Sequence, residues 1–183
     1  MSYADAVRAL PVREDALILG IETSCDETAV SLVRGGREVL ADEIISSAAE
    51  HAKFGGVVPE IASRAHTEAI SVAAARALKA AGVFLPEVDA VAVTYGAGLL
   101  GALLVGVSYA KSLAFALNKP LIPVSHIRGH MAAAYLADKT LEPPFLSLLT
   151  SGGHTALIHV SDYEKMAVSY THLRAHETSA HLV

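Results

Sequence analysis

The sequence predicts an α/β fold built on a mixed sheet. Short β-branched runs come first as a meander, and then strands alternate with longer segments of helical periodicity. Glycine and proline punctuate the boundaries of those segments. That order places antiparallel pairs beside parallel ones in one sheet.

Leu17 to Glu22 reads as a strand, followed by the polar turn Thr23 to Glu27 and a second strand from Thr28 to Val33. Arg34-Gly35-Gly36 supplies hairpin chemistry before a third strand near residues 38 to 44. Residues 46 to 58 read as a loop. Pro59 suits the first turn of a helix, because its missing N–H costs nothing there. Ile61, Ala65, Ala69, Val72, Ala73 and Ala77 then recur at helical spacing, and Gly82 ends the run. Asp89 to Tyr95 reads as a strand, Leu99 to Leu117 as a helix stopped by Pro120, and Leu121 to Val124 as a short strand. A helix over residues 127 to 138 comes next, then a hairpin of Phe145 to Thr150 and Thr155 to Val160. This last hairpin echoes the first: strand, polar turn, then Thr-Ala and an apolar run. Either hairpins simply resemble one another, or a second copy of the first lobe begins near Phe145.

Composition narrows the function classes. With 52% hydrophobic and 18% charged residues, the 183-residue chain can bury a core and is not disordered. Its net charge of −5 argues against a chain that grips nucleic acid unaided, so RNA contact would need a local patch or a partner subunit. Cys25 is the single cysteine, which excludes an internal disulfide and fits a reducing compartment. Residues 1 to 16 form an extension unlike a signal peptide. The longest apolar stretch, Ala97 to Val107, is short of the ~20 residues that span a bilayer. A cytoplasmic protein without membrane contact is expected. Residues 166 to 183 read as the in-frame translation of a sequencing adapter, so the histidine pair His172 and His176 is not taken as a metal site.

Four motifs could carry chemistry. Gly96-Ala97-Gly98-Leu99-Leu100-Gly101 follows a strand and opens a helix, as a dinucleotide fingerprint does. No Asp or Glu occurs from Tyr95 to Ala137 to bind a ribose, so the glycines are expected to permit close backbone approach to a ligand or another helix. His126 and His130 stand four apart, the spacing with which two imidazoles share a metal; ordinary polar surface is the equal alternative. Thr150 to Thr155 is a donor-rich turn that forms either an anion-binding nest or a plain hairpin loop. The first turn, Glu22 to Thr28, sets three carboxylates around hydroxyls and could hold a metal, orient a ligand or act as a base; a solvated loop is the bland reading. Cys25, with no basic neighbour in sequence, reads as a small packing residue and not a nucleophile.

In combination these motifs are specific. Gly20 to Thr28 (GIETSCDET) resembles the opening signature of the tRNA N6-adenosine threonylcarbamoyltransferase family, formerly labelled sialoglycoprotein endopeptidases. His51 with Phe54-Gly55-Gly56-Val57-Val58-Pro59-Glu60, then Ala62-Ser63-Arg64 and His66, is similar to its second signature. His126/His130 resembles its metal motif, and Ser151 to Thr155 its substrate turn. The likeness implies an actin-like ATPase (ribonuclease-H-like) fold of two related lobes. Residues 17–140 would be the first, and 141–165 the start of a truncated second. It implies a divalent metal, iron or zinc, on His126, His130 and an aspartate of the second lobe. It also implies a pocket for threonylcarbamoyl-adenylate lined by Leu149, Thr150, Ser151, Gly152 and Gly153. Asp26 and Glu27 are expected to orient ligands or move a proton. The implied reaction is transfer of threonylcarbamoyl to the adenosine beside the anticodon of tRNA, within a complex of partner subunits. A chain lacking most of the second lobe is expected to be inactive alone. Ala97 stands where the family usually has proline. Three rivals remain: a non-catalytic partner subunit, a metalloprotease-like glycoprotease, and a sugar or acetate kinase. The second lacks the glutamate that an HExxH site places between its histidines.

Overall fold

The computed structural model describes residues 13–150 and 155–170. Two compact units divide the chain, residues 1–129 and 130–183. In the first, β1 (Leu17–Glu22), β2 (Glu27–Arg34) and β3 (Glu38–Ser46) form the expected meander. β4 (Ala90–Gly96) and β5 (Leu121–Ser125) complete a five-stranded sheet in the order β3-β2-β1-β4-β5. β1 pairs antiparallel with β2 and parallel with β4, so the sheet is mixed. The connections dictate this. Four residues join β1 to β2, which allows only a hairpin, whereas helices carry the chain from β3 to β4 and from β4 to β5.

Helix α1 (Ala48–His51) and a 3₁₀ turn (Ala52–Phe54) occupy part of the segment expected to be loop. Single turns are too short to show periodicity, and this one starts from Ser47, whose N–H is tied to the Asp26 carbonyl at 3.0 Å. Helix α2 (Pro59–Ala81) has proline in its first turn and ends on Gly82 at φ 65°. There the Val83 and Gly82 amides bond back to Leu78 and Lys79. Helix α3 (Leu100–Leu117) ends on Asn118 in the left-handed region, two residues before the expected proline stop.

The core gathers Leu17, Leu19 and Ile21 of β1, Val30 and Leu32 of β2, Val91 and Val93 of β4, and the small residues of α2 and α3. On α2 the buried row is Ala62, His66, Ile70, Ala73, Ala74 and Ala77. The expected row was Ile61, Ala65, Ala69, Val72, Ala73 and Ala77, of which Val72 is exposed. An alanine-rich helix is apolar on several sides, and the true inner face contains a histidine that a hydrophobic count passes over. α3 has the length and composition of a membrane span, yet Ala102, Leu103, Gly106, Ala110 and Ala114 are buried within this unit.

The division between units falls inside helix α4 (His126–Ala137), earlier than the lobe boundary expected at residue 140. The second half of α4 packs with the chain beyond it: the Tyr135 ring meets Phe145 edge-on at 5.7 Å and Tyr163 at 5.4 Å. In this unit β6 (Phe145–Thr150), β7 (Thr155–Val160) and β8 (Met166–Tyr170) form an antiparallel meander. β8 lies where the sequence suggested an extraneous tail; it pairs with β7 from Val160↔Met166 to Leu157↔Tyr170. An edge strand needs only backbone partners, so it need not show a core-facing pattern. Residues 171–183 lie outside the described residues. The meander β6-β7-β8 repeats β1-β2-β3 in strand order, pairing sense and the four-residue connection between its first two strands. The sequence echo therefore has a structural counterpart.

Leu19 is fully buried at the centre of the first sheet. Leu19→Ala should lower the free energy of unfolding by about 2–5 kcal/mol in urea denaturation. A loss below about 1 kcal/mol would show that this core is not the one that holds the sheet.

Candidate active site

The carboxyl ends of the parallel strands β1, β4 and β5 lie at one edge of the sheet, where open α/β folds bind ligands. β1 delivers Glu22 and the turn Thr23 to Asp26, β4 delivers the glycine loop 96 to 99, and β5 runs directly into His126.

Three consecutive carbonyls of the turn are held by three different elements. Ser24 C=O accepts the Leu99 N–H at 2.8 Å, at the entrance to α3. Cys25 C=O accepts from His66 Nε2 of α2 at 2.9 Å. Asp26 C=O accepts both the N–H and the hydroxyl of Ser47, at 3.0 and 2.6 Å. Behind Ser47 stands His51, whose Nε2 is 3.1 Å from the Ser47 hydroxyl and whose Nδ1 accepts the Val58 N–H at 3.3 Å. Below the turn, the Thr23 hydroxyl donates to Ala102 C=O at 2.9 Å. Thr23, Ser24, Thr28, His51 and His66 are all buried, and each is hydrogen-bonded as burial requires.

The glycine motif serves this packing. A Cβ on Gly98 would stand 2.5 Å from Ser24 O, and one on Gly101 would stand 2.5 Å from Ser63 Oγ of α2. A Cβ on Gly106 would run into the Thr23 hydroxyl. The close approach expected of these glycines is thus to the turn and to a neighbouring helix.

Glu22 is the carboxylate that the turn sets against the histidine helix. His126 Nδ1 lies 3.3 Å from Glu22 Oε2 and 3.2 Å from Ser24 Oγ, while the Ser24 N–H donates to Glu22 Oε1. Burial works to raise the Glu22 pKa, but hydrogen bonds from the Ser24 and Thr94 side chains, the Ser24 amide and His126 outweigh it and hold the group below its usual value. A carboxylate can only accept, so Nδ1 of His126 carries a proton, and in the neutral ring the lone pair is then on Nε2. Imidazole nitrogens of this kind suit iron or zinc. His130 comes one turn later on α4. Among the described residues no group of three or more His, Cys, Asp or Glu side chains comes together that could hold a metal.

The remaining expected residues take other positions. Asp26 is half-buried and Glu27 exposed at the start of β2; neither is the group beside His126. Leu149 is buried and Thr150 exposed at the end of β6, and Ser151, Gly152 and Gly153 lie outside the described residues. Cys25 is exposed and so is not a packing residue. Loss of part of its hydration, then the hydrogen bond and charge of Asp26, push its thiol above the ordinary value, which disfavours the thiolate a nucleophile needs. Sequence reasoning passed over Glu22, Ser24, Ser47, His51 and His66 as individual site residues. Membership of the two signatures marked all of them but Ser47, which nothing marked.

A family model for tRNA N6-adenosine threonylcarbamoyltransferase matches residues 38–180. A protein of that name from Clostridium perfringens is 57% identical over 152 residues, which cover 83% of this chain and 45% of that protein. One from Clostridium novyi is 57% identical over 150 residues, 82% of this chain and 44% of that protein. The chain thus spans less than half the length of these relatives. Among solved structures, YeaZ from Pseudomonas aeruginosa superposes with a TM-score of 0.57 at 19% identity, covering 85% of this chain and 64% of that one. That likeness shows the fold, an actin-like, ribonuclease-H-like lobe.

Alkylation of Cys25 by iodoacetamide, followed by mass spectrometry, reads the turn directly. The rate should reach half its maximum at a higher pH than it does for free cysteine, and Asp26→Asn should move that midpoint down. A midpoint at or below that of free cysteine would contradict the surroundings described here.

Proposed function

The chain belongs to the tRNA N6-adenosine threonylcarbamoyltransferase family, and from that premise we propose that it carries the histidine pair and signature turn of an enzyme moving threonylcarbamoyl from its adenylate to tRNA. One observation carries the reading: the signature turn is fixed so that Glu22 meets His126 at the first residue of the histidine helix. In the reaction, N6 of the adenosine beside the anticodon attacks the carbamoyl carbon, the bond to the AMP phosphate oxygen breaks, and N6 loses a proton.

His126 and His130, with an aspartate of the second lobe, would hold a divalent metal, iron or zinc, whose Lewis acidity polarises the carbamoyl group. Glu22 orients the His126 ring by accepting its Nδ1–H, the usual arrangement behind a ligating imidazole. Asp26, half-buried, and Glu27, exposed, are assigned to orienting the ligand or taking the proton from N6. Leu149 to Gly153 are assigned to the adenylate. The net charge of −5 favours partner subunits that share the tRNA contact, and Leu100, Leu104 and Phe115 stand exposed on α3 for such a subunit to cover. The setting is cytoplasmic, where tRNA is modified. A protease reading lacks its general base between the two histidines.

The test uses full-length protein bearing this segment, its partner subunits, tRNA and threonylcarbamoyl-adenylate, with modified nucleosides measured by mass spectrometry. Transfer is expected, and His126→Ala should abolish it together with bound metal measured by elemental analysis. Glu22→Gln should weaken metal affinity roughly 10- to 100-fold while the protein stays folded. Full transfer by metal-free protein would defeat the metal assignment. Absence of any transfer by the unaltered protein would defeat the function.

A further inference from the structure

His66 is buried on α2, is not among the groups assigned to metal, adenylate or proton transfer, and has both ring nitrogens committed to the turn. Its Nε2 lies 2.9 Å from the Cys25 carbonyl, which only accepts, so Nε2 carries the proton. In the neutral ring Nδ1 then accepts the Thr28 hydroxyl at 2.7 Å. The imidazole therefore grips the chain on both sides of Asp26 and Glu27.

We propose that His66 is a positioning residue for the transfer reaction, fixing the peptide between Cys25 and Asp26 so that the Asp26 and Glu27 carboxylates are presented to the ligand in one geometry. The role rests on the transferase reading. A trans peptide is planar, so holding its carbonyl inward also points the Asp26 N–H the opposite way. The neighbouring carbonyls are held by Leu99 and Ser47, and among the described residues the donor to the middle one is His66. A reacting group displaced by about 1 Å can cost roughly 100-fold in rate. A small release of this peptide should therefore be felt in turnover more than in stability.

Two substitutions separate the grip from mere filling of space. His66→Gln places an amide N–H near Nε2 and keeps a donor for the Cys25 carbonyl. His66→Asn has its amide near Nδ1, reaches Thr28, and loses the carbonyl. In the full-length transferase, kcat for His66→Asn should fall about 10- to 100-fold with the KM for tRNA unchanged. His66→Gln should stay within about 3-fold of the unaltered enzyme. A second readout does not depend on transfer: the alkylation midpoint of Cys25 should drop toward that of free cysteine in His66→Asn and hold in His66→Gln. Equal losses in both variants, or none in either, would overturn the proposal, because packing alone cannot tell the two amides apart. If Asn unfolds the protein, Thr28→Val, which removes only the arm that His66→Gln also gives up, should stay within about 3-fold of the unaltered enzyme; a fall of about 10-fold or more there would overturn it. Lack of transfer by the unaltered enzyme would remove the reading beneath the role, while the Cys25 midpoints would still decide whether the grip exists.

Discussion

Three adjacent carbonyls, those of Ser24, Cys25 and Asp26, are tied to three elements far apart in sequence, and the rest of the first unit is arranged to deliver their donors. Leu99 arrives only after β4 has paired with β1, His66 only when α2 has packed on the sheet, and Ser47 only at the end of β3. A four-residue turn cannot satisfy these groups from within itself. Left to water, it would sample many backbone states, each costing about 1–2 kcal/mol per residue to select. The folded unit has made that selection before any ligand arrives, which is what a site needs if binding is to go into chemistry and not into ordering.

The same arrangement explains why polar residues are buried where they are. Thr23, Thr28, His51 and His66 sit at the edge of the core, not at random within it, and each is bonded to backbone, to another side chain, or to both. A buried polar group left unsatisfied costs about 1–3 kcal/mol, so the set stands or falls together. Thr23 shows the coupling. Its hydroxyl donates to Ala102 C=O, and the bare Cα of Gly106 leaves room for it. Adding a methyl at residue 106 would push on a threonine that directly follows Glu22.

Strands and long helices were legible in the sequence because their signals are local: alternation in β1 and β2, proline at residue 59, glycine at residue 82. The inner face of α2 was not, since alanine gives no contrast between faces and His66 is a polar residue in a buried row. The motif positions of the site were legible as strings. Which carboxylate of the first turn would meet His126 was not, because Glu22 and Asp26 differ only in where a strand ends. β8 was missed for a similar reason: edge pairing is recorded in the backbone and leaves little trace in side-chain pattern.

The glycine loop shows how one string can serve two physical ends. Gly96-Ala97-Gly98-Leu99-Leu100-Gly101 has the letters and the strand-to-helix setting of a phosphate loop. What decides between the uses is the object opposite each missing Cβ. Opposite Gly98 is Ser24 O and opposite Gly101 is Ser63 Oγ, both protein atoms already in place. The N–H of Leu99, which a phosphate loop would turn toward its ligand, is spent on Ser24 C=O. The loop therefore acts on the neighbouring turn, the one that carries Asp26. A glycine motif is best judged by what fills the space it leaves, and here that space is filled by the protein's own signature turn.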